Sequence, residues 1–432
     1  MPLVIGLGLI LLFLVTLNVG KPVLPGFKPF ILFLGYIVGF YMAWNIGAND
    51  VANSMASAVG AKAITIKQAV IIAGILNVVG AVFIGSHVTN TIRKGIITAE
   101  VMSDPHIALL GALSALLASA LWITFASWKS LPVSTTHSIV GAMIGFGIVA
   151  GGFSVVQWGK VGAVVASWII SPFLSMVIGW TMYKIITRFI VNKEDAFGKA
   201  IKYSPYFIGA AIFIIVLSFL FKTPLGKDLA LTIPMAIGIA FAIATITGMM
   251  GQLIFKKFVP YNDGDDAEPI FKRIQIGTSC YVALAHGAND VANAIGPLAV
   301  IYFIVTSGSI GSTVSVPPFL LFFGGIGIAL GIWMWGYRVM STVGEKITPL
   351  NNTRGFSVDF AAATTVLVAS KFGLPVSTTH SAVGGVMGVG MSNGKDGINF
   401  HVIGKIVLYW ILTVPAAAIT SMIIFNILQK IF

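Results

Sequence analysis

Gly47-Ala-Asn-Asp-Val-Ala-Asn53 is written a second time at Gly287 to Asn293, and each copy sits inside long apolar sequence. A second signature follows each one: Leu131-Pro-Val-Ser-Thr-Thr-His-Ser138, and the same eight residues from Leu374 to Ser381. Asp50 precedes His137 by 87 residues, and Asp290 precedes His380 by 90. Two unlike polar signatures, duplicated in the same order at nearly the same spacing, define an internal repeat.

The apolar setting is general. Of 432 residues, 57% are hydrophobic and 9% charged, against roughly a quarter charged in soluble domains. Runs near the length of about 20 residues that crosses a bilayer recur at 3–19, 30–44, 64–85, 107–128, 206–221 and 229–255. The alternating segments of about 10 residues that a barrel needs are not seen. The fold class is therefore an all-α polytopic membrane protein. No positive charge precedes Lys21 and no small-residue cleavage site follows the first apolar run, so residues 1–27 read as a retained span. The single cysteine, Cys280, excludes an internal disulfide and any multi-cysteine metal centre. The net charge of +12 comes from basic residues in short loops between spans. That pattern fits the positive-inside rule, not a nucleic-acid partner.

Four parts follow: an N-terminal span over 1–27, a first repeat over 28–191, basic loops with two spans over 192–271, and a second repeat over 272–432. Lys184, Arg188, Lys193, Lys199 and Lys202 form one basic cluster, and Lys256, Lys257, Lys272 and Arg273 form another. Two spans separate the clusters, which puts both on one face, and the positive charge makes that face cytoplasmic. Residues 131–150 are short, with a polar start, and suit a re-entrant or broken helix. Residues 158–191 fit either one tilted helix or two short ones. Whether the repeats run parallel or inverted is open at this level.

An ionised aspartate at bilayer depth costs about 2.5–3.5 kcal/mol on insertion scales. Asp50 and Asp290 have no Lys or Arg within a helical turn, so a bound cation is the natural partner, with a structural carboxylate as the plainer reading. Asn53 and Asn293 add amide oxygens, and Asn49 and Asn289 flank the acid. Carboxylate and amide oxygens are hard ligands, suited to alkali or alkaline-earth ions. Gly47 and Gly287 are expected to let the helix unwind and offer carbonyls as further ligands. The second signature has the opposite polarity. Pro132 reads as a helix start, where free N–H groups favour an anion. Ser134, Thr135 and Thr136 add hydroxyls, and Ser377, Thr378 and Thr379 repeat them; helix capping is the plainer reading. His137 and His380 either donate to an anion, relay protons, or orient their neighbours.

At these residues the chain resembles the PiT family of inorganic phosphate transporters, or phosphate permeases. Both copies of Gly-Ala-Asn-Asp-Val-Ala-Asn resemble the family signature, the Pro-Val-Ser-Thr-Thr-His element accompanies it, and the likeness runs over essentially the whole chain. It implies two inverted repeats, about 12 transmembrane helices plus re-entrant or broken ones, a homodimer and a place in the cell membrane. It implies a secondary active symporter that takes up phosphate with sodium by alternating access, with no enzymatic activity and no organic cofactor. Carried over by motif, Asp50, Asn53, Asp290 and Asn293 would hold sodium. The Ser134–Thr136 and Ser377–Thr379 starts, with Asn49 and Asn289, would contact phosphate. The long hydrophilic central domain of the animal members is missing, so the chain resembles the prokaryotic ones. The alternative within the same fold is a proton-coupled permease for phosphate or sulfate. An intramembrane enzyme has no supporting motif: neither His-Glu-x-x-His nor a nucleophile elbow occurs.

Overall fold

The computed structural model describes residues 28–85, 96–222, 226, 229–260, 266–307, 316–371, 376–392, 394 and 397–432. The proposed first span falls outside them. The described chain is helical, and the β structure within it is one isolated bridge, Ile97 to Val156. In order, the helices are α1 (Lys28–Asp50), α2 (Ala52–Gly60), α3 (Ile66–Ile84), α4 (Ala99–Ser103), α5 (Pro105–Trp128), α6 (Thr135–Gly151) and α7 (Trp158–Ile186). Then come α8 (Ala196–Lys222), α9 (Ile233–Phe258), α10 (Glu268–Ser307), α11 (Pro318–Ser341), α12 (Asn352–Lys371), α13 (Thr378–Met391) and α14 (Phe400–Ile431). Among the described residues, nine helical stretches are long and apolar enough to cross a membrane. The protein is a multi-pass membrane protein.

Local sequence explains the helix starts. Thr65 and Gln68 form a reciprocal capping box at α3, each side chain accepting from the other's backbone N–H at 3.3 and 2.9 Å. Asp104 caps α5, where Pro105 occupies the first turn and needs no N–H partner. Glu268 reaches back from the start of α10 to accept from Asn352, Thr353 and the Thr353 hydroxyl at the N-terminus of α12. The segment with two open readings is one helix, α7, which carries Pro172 in its interior and continues through a π-turn to Val191. α6 and α13, with 17 and 14 residues, span about 25 and 21 Å, short of the ~30 Å hydrocarbon core.

The packing runs in matched pairs. α1 lies against α11 and α10 against α3; α6 lies against α14 and α13 against α7. α5 touches α14 as α12 touches α7, and α1 touches α5 as α10 touches α12. Each half thus completes its layers with helices of the other. α8 and α9 form an antiparallel hairpin that leans on α10 and α12, with Gly248 of α9 against the Pro205 backbone of α8.

The motif glycines make these crossings close. A side-chain carbon on Gly47 would fall on the Ile328 carbonyl of α11, and one on Gly287 would fall on the Asn77 carbonyl of α3. This corrects the expectation that both glycines unwind the helix. α10 runs unbroken through Gly287 to Ser307, and α1 is helical through Gly47 to Asp50, so the glycines buy backbone contact and not exposed carbonyls.

Candidate functional site

α1 and α10 cross so that the two signature aspartates meet. Asp50 ends α1; Val51, at right-handed helical angles of φ −56° and ψ −26°, leads directly into α2 at Ala52. Asp290 lies mid-way along unbroken α10. Both are buried, at 0 and 5% exposure. Ligand atoms of Asp50, Asp290 and His286 all lie within 4.8 Å of one another. At that separation two ionised carboxylates repel by roughly 3–4 kcal/mol at an effective dielectric near 20. A cation between them removes that cost.

His286 already faces both acids. Its Nε2 is 2.9 Å from Asp290 Oδ2 and 3.9 Å from Asp50 Oδ2, and its Nδ1 is 2.6 Å from Asn77 Oδ1. Asn77 donates its own N–H to the Ala73 carbonyl at 2.8 Å, which leaves its oxygen as acceptor and makes Nδ1 of His286 the donor. Nε2 is thereby turned toward the Asp290 carboxylate at ion-pair distance. Sequence reasoning missed this residue. The signal was there: the position before the heptapeptide is Ile46 in the first copy and His286 in the second.

The two Ser-Thr-Thr starts converge on Asp50. Ser134 and Ser377 are the N-caps of α6 and α13, accepting from the backbone N–H of His137 and His380, each at 3.2 Å. The helices therefore begin at Thr135 and Thr378, three residues beyond the prolines. The Thr135 hydroxyl donates to Asp50 Oδ2 at 2.7 Å, and that of Thr379 lies 3.4 Å from Asp50 Oδ1 and 3.2 Å from the Val133 carbonyl.

The asparagines tie the halves together reciprocally. The Asn53 amide donates to Thr378 and Thr379 at 3.2 and 3.0 Å, while Asn293 donates to Thr135 and Thr136, both at 3.2 Å. Each copy of Gly-Ala-Asn-Asp-Val-Ala-Asn thus grips the Ser-Thr-Thr start that follows the other copy. The other two asparagines diverge. Asn49 is fully buried; its amide donates to the Ser127 hydroxyl and the Leu131 carbonyl and accepts from Val133 N–H, which holds the chain leading into α6. Asn289 is half-buried and lines an open cavity.

His137 and His380 stand apart from the acids. Their rings meet edge to face at 4.9 Å, with Trp168 5.3 Å from the first and Trp410 stacked 3.8 Å from the second. Trp410 also donates to the Pro132 carbonyl at 3.1 Å, so the pair sits in a packed seam between α6 and α13. A third buried carboxylate, Asp359, escaped the sequence reading. Asp359 on α12 accepts from Ser57 of α2 and from Thr278 and Ser279 of α10. Its signal was a lone acid in an apolar stretch, which at membrane depth is a site candidate by default.

A cavity of about 410 Å3 opens onto the polar cluster. Asn53, His286, Asn289 and Thr378 form its polar end, and α8 and α9 supply much of its apolar wall. Neutral amide and hydroxyl donors at this end, with carboxylates behind them, can strip water from a small oxyanion and hold cations beside it.

Comparison with known proteins bears on this chemistry. Residues 46–421 match the model of the phosphate transporter family. A protein named as a phosphate permease in Pyrococcus abyssi is 50% identical over 398 residues, covering 92% of this chain and 98% of the relative. The chloroplastic inorganic phosphate transporter 2-1 of Arabidopsis thaliana is 42% identical over 424 residues, covering 91% of this chain and 72% of the relative. A solved structure described as the sodium-dependent phosphate transporter superposes with a TM-score of 0.84 at 45% identity, covering 93% of this chain and all of that one. The chain belongs to the phosphate transporter family, whose members are transporters and not enzymes.

Proposed function

We propose that the protein is a secondary active symporter that takes up inorganic phosphate together with sodium ions by alternating access. The observation that carries this is the reciprocal grip of Asn53 on Thr378 and Thr379 and of Asn293 on Thr135 and Thr136, built around two buried carboxylates. Acceptors for cations and donors for an anion lie within one hydrogen bond of each other, and each half contributes both kinds. Asp50, Asn53, Asp290 and Asn293 hold sodium in this reading. Thr136, Thr378 and Asn289, the half-buried members of the cluster, meet phosphate first. Ser134 and Ser377 keep the two helix starts in shape, Thr135 and Thr379 link anion and cation sites, and His137 with His380 packs the seam between halves. Asn49 holds the α5–α6 connection.

Coupling follows from charge. An inside-negative potential opposes phosphate by about 2.3 kcal/mol per charge per 100 mV, so co-transported cations must match or exceed the anionic charge. Two carboxylates give two cations a place. In this reading the repeats, 28–191 and 272–432, are inverted and rock about the shared site, the 192–271 segment puts its basic loops in the cytoplasm, and two chains pair in the cell membrane.

Labelled-phosphate uptake into proteoliposomes, with sodium and proton gradients imposed separately, tests the reading. Uphill accumulation driven by sodium alone is expected. Accumulation driven by protons alone, or equal competition by sulfate, would replace it with the proton-coupled or broader oxyanion permease.

A further inference from the structure

The cavity beside the site is built for more than a small oxyanion. Its 410 Å3 would hold on the order of a dozen waters at about 30 Å3 each, yet its walls offer them few partners. Asn53, His286, Asn289 and Thr378 supply its polar end, and the hydroxyls of Ser218 and Tyr281, paired with each other, are its remaining polar lining groups. The body is formed by Ile215 and Val216 of α8 and Ile239 and Ile243 of α9, and no carboxylate lines it. Neutral donors at one end and alkyl groups along the rest describe the complement of an amphiphile with an oxyanion head.

We infer that this cavity binds single-chain alkyl phosphonates and phosphate monoesters, head at Asn289 and Thr378, and chain along the α8–α9 hairpin. The inference rests on reading that end as the phosphate site. The Asn53 amide is already bonded to Thr378 and Thr379, so the head meets Asn289 and the Thr378 hydroxyl, which a bare acyl chain entering from the bilayer would leave facing alkyl groups at a cost in free energy. A cationic head would meet amide and hydroxyl donors and no exposed carboxylate. The chain contributes about fourfold in affinity per methylene, the equivalent of ~0.8 kcal/mol of apolar burial.

The test uses the full chain in proteoliposomes. Phosphate uptake is measured against methyl-, butyl- and hexylphosphonate, with hexyltrimethylammonium as the head-group control. Potency is expected to rise about fourfold per methylene, roughly a thousandfold from methyl to hexyl. Val216→Trp fills the cavity and should make hexylphosphonate no better than methylphosphonate. Ile243→Ala enlarges it and should move the best chain length upward, which keeps the test alive if the tryptophan variant does not fold. Equal potency across the phosphonates, or equal inhibition by the ammonium amphiphile, overturns the inference while leaving phosphate transport standing. If neither phosphate nor methylphosphonate is recognised, the reading of the polar end fails, and the inference with it.

Discussion

The two copies of Gly-Ala-Asn-Asp-Val-Ala-Asn are identical in sequence and unequal in structure. In the first, Val51 joins α1 to α2 at right-handed helical angles, and Asp50 accepts from the Thr135 hydroxyl, with that of Thr379 3.4 Å away. In the second, α10 runs straight through, and Asp290 is held by His286 one turn earlier on its own helix. The asparagines that follow keep their symmetry, Asn53 and Asn293 making matching bonds. The asparagines that precede lose it, since Asn49 is consumed by a loop and Asn289 faces the cavity. Duplication wrote the polar residues twice, while the neighbours decide what each one touches. One flanking difference, Ile46 against His286, separates the two aspartate positions.

The largest expected effect breaks the first copy. Asp50→Asn removes a charged acceptor from two threonines, each bond worth about 1.5–3 kcal/mol, so sodium-driven uptake should fall on the order of a hundredfold or more. Undiminished uptake with the same sodium dependence in proteoliposomes would sink the assignment. Next, His286→Ile gives the second copy the setting of the first and bares the carboxylate repulsion. Uptake should drop on the order of tenfold, with sodium half-saturation shifted upward. In a double-mutant cycle, His286 and Asp290 should couple by about 1–3 kcal/mol, and His286 with Asp50 by less. Equal coupling to both acids would mean that the copies are equivalent after all.

Smaller effects test the scaffold. Asp359→Ala strands the hydroxyls of Ser57, Thr278 and Ser279 and should cost about 1–3 kcal/mol of stability, read as a lower melting temperature in detergent. Gly47→Ala and Gly287→Ala each force a methyl into a facing carbonyl and should cost a similar amount, about 1–3 kcal/mol; a gap between them would measure how far the two crossings differ. Smallest are Thr136→Ala and Thr378→Ala. Each loses one neutral bond of about 1 kcal/mol, equivalent to roughly a fivefold rise in the phosphate KM. A larger loss at Thr378 would place the anion on the cavity side.

Much of this was legible in the sequence because it was written twice. The duplicated signatures picked out Asp50, Asp290 and the threonine starts, the apolar runs at 107–128 and 206–221 fall within α5 and α8, and the run at 229–255 overlaps α9 from Ile233 onward. The short polar-headed segment at 131–150 forms the 17-residue helix α6, capped by Ser134. What escaped depends on tertiary neighbours. A glycine at the head of a polar motif reads as a hinge, but whether it bends or lets another backbone approach is set by Ile328 and Asn77, far away in sequence. His286 was passed over because a histidine outside the repeated letters has no duplicate to point at it. Asp359 reads as a stray acid until Ser57, Thr278 and Ser279 close around it.

The reciprocal asparagine bonds also set a clock for biogenesis. Asn53 is made 326 residues before Thr379, an interval of roughly 15–65 s at 5–20 residues per second. Throughout that time its amide lies at the heart of an unfinished half with its partner not yet synthesised. A nascent chain must be sheltered until α13 arrives. Any product that stops short of Thr378 leaves bare amides in lipid, a chemical mark by which quality control can tell a failed chain from a finished one.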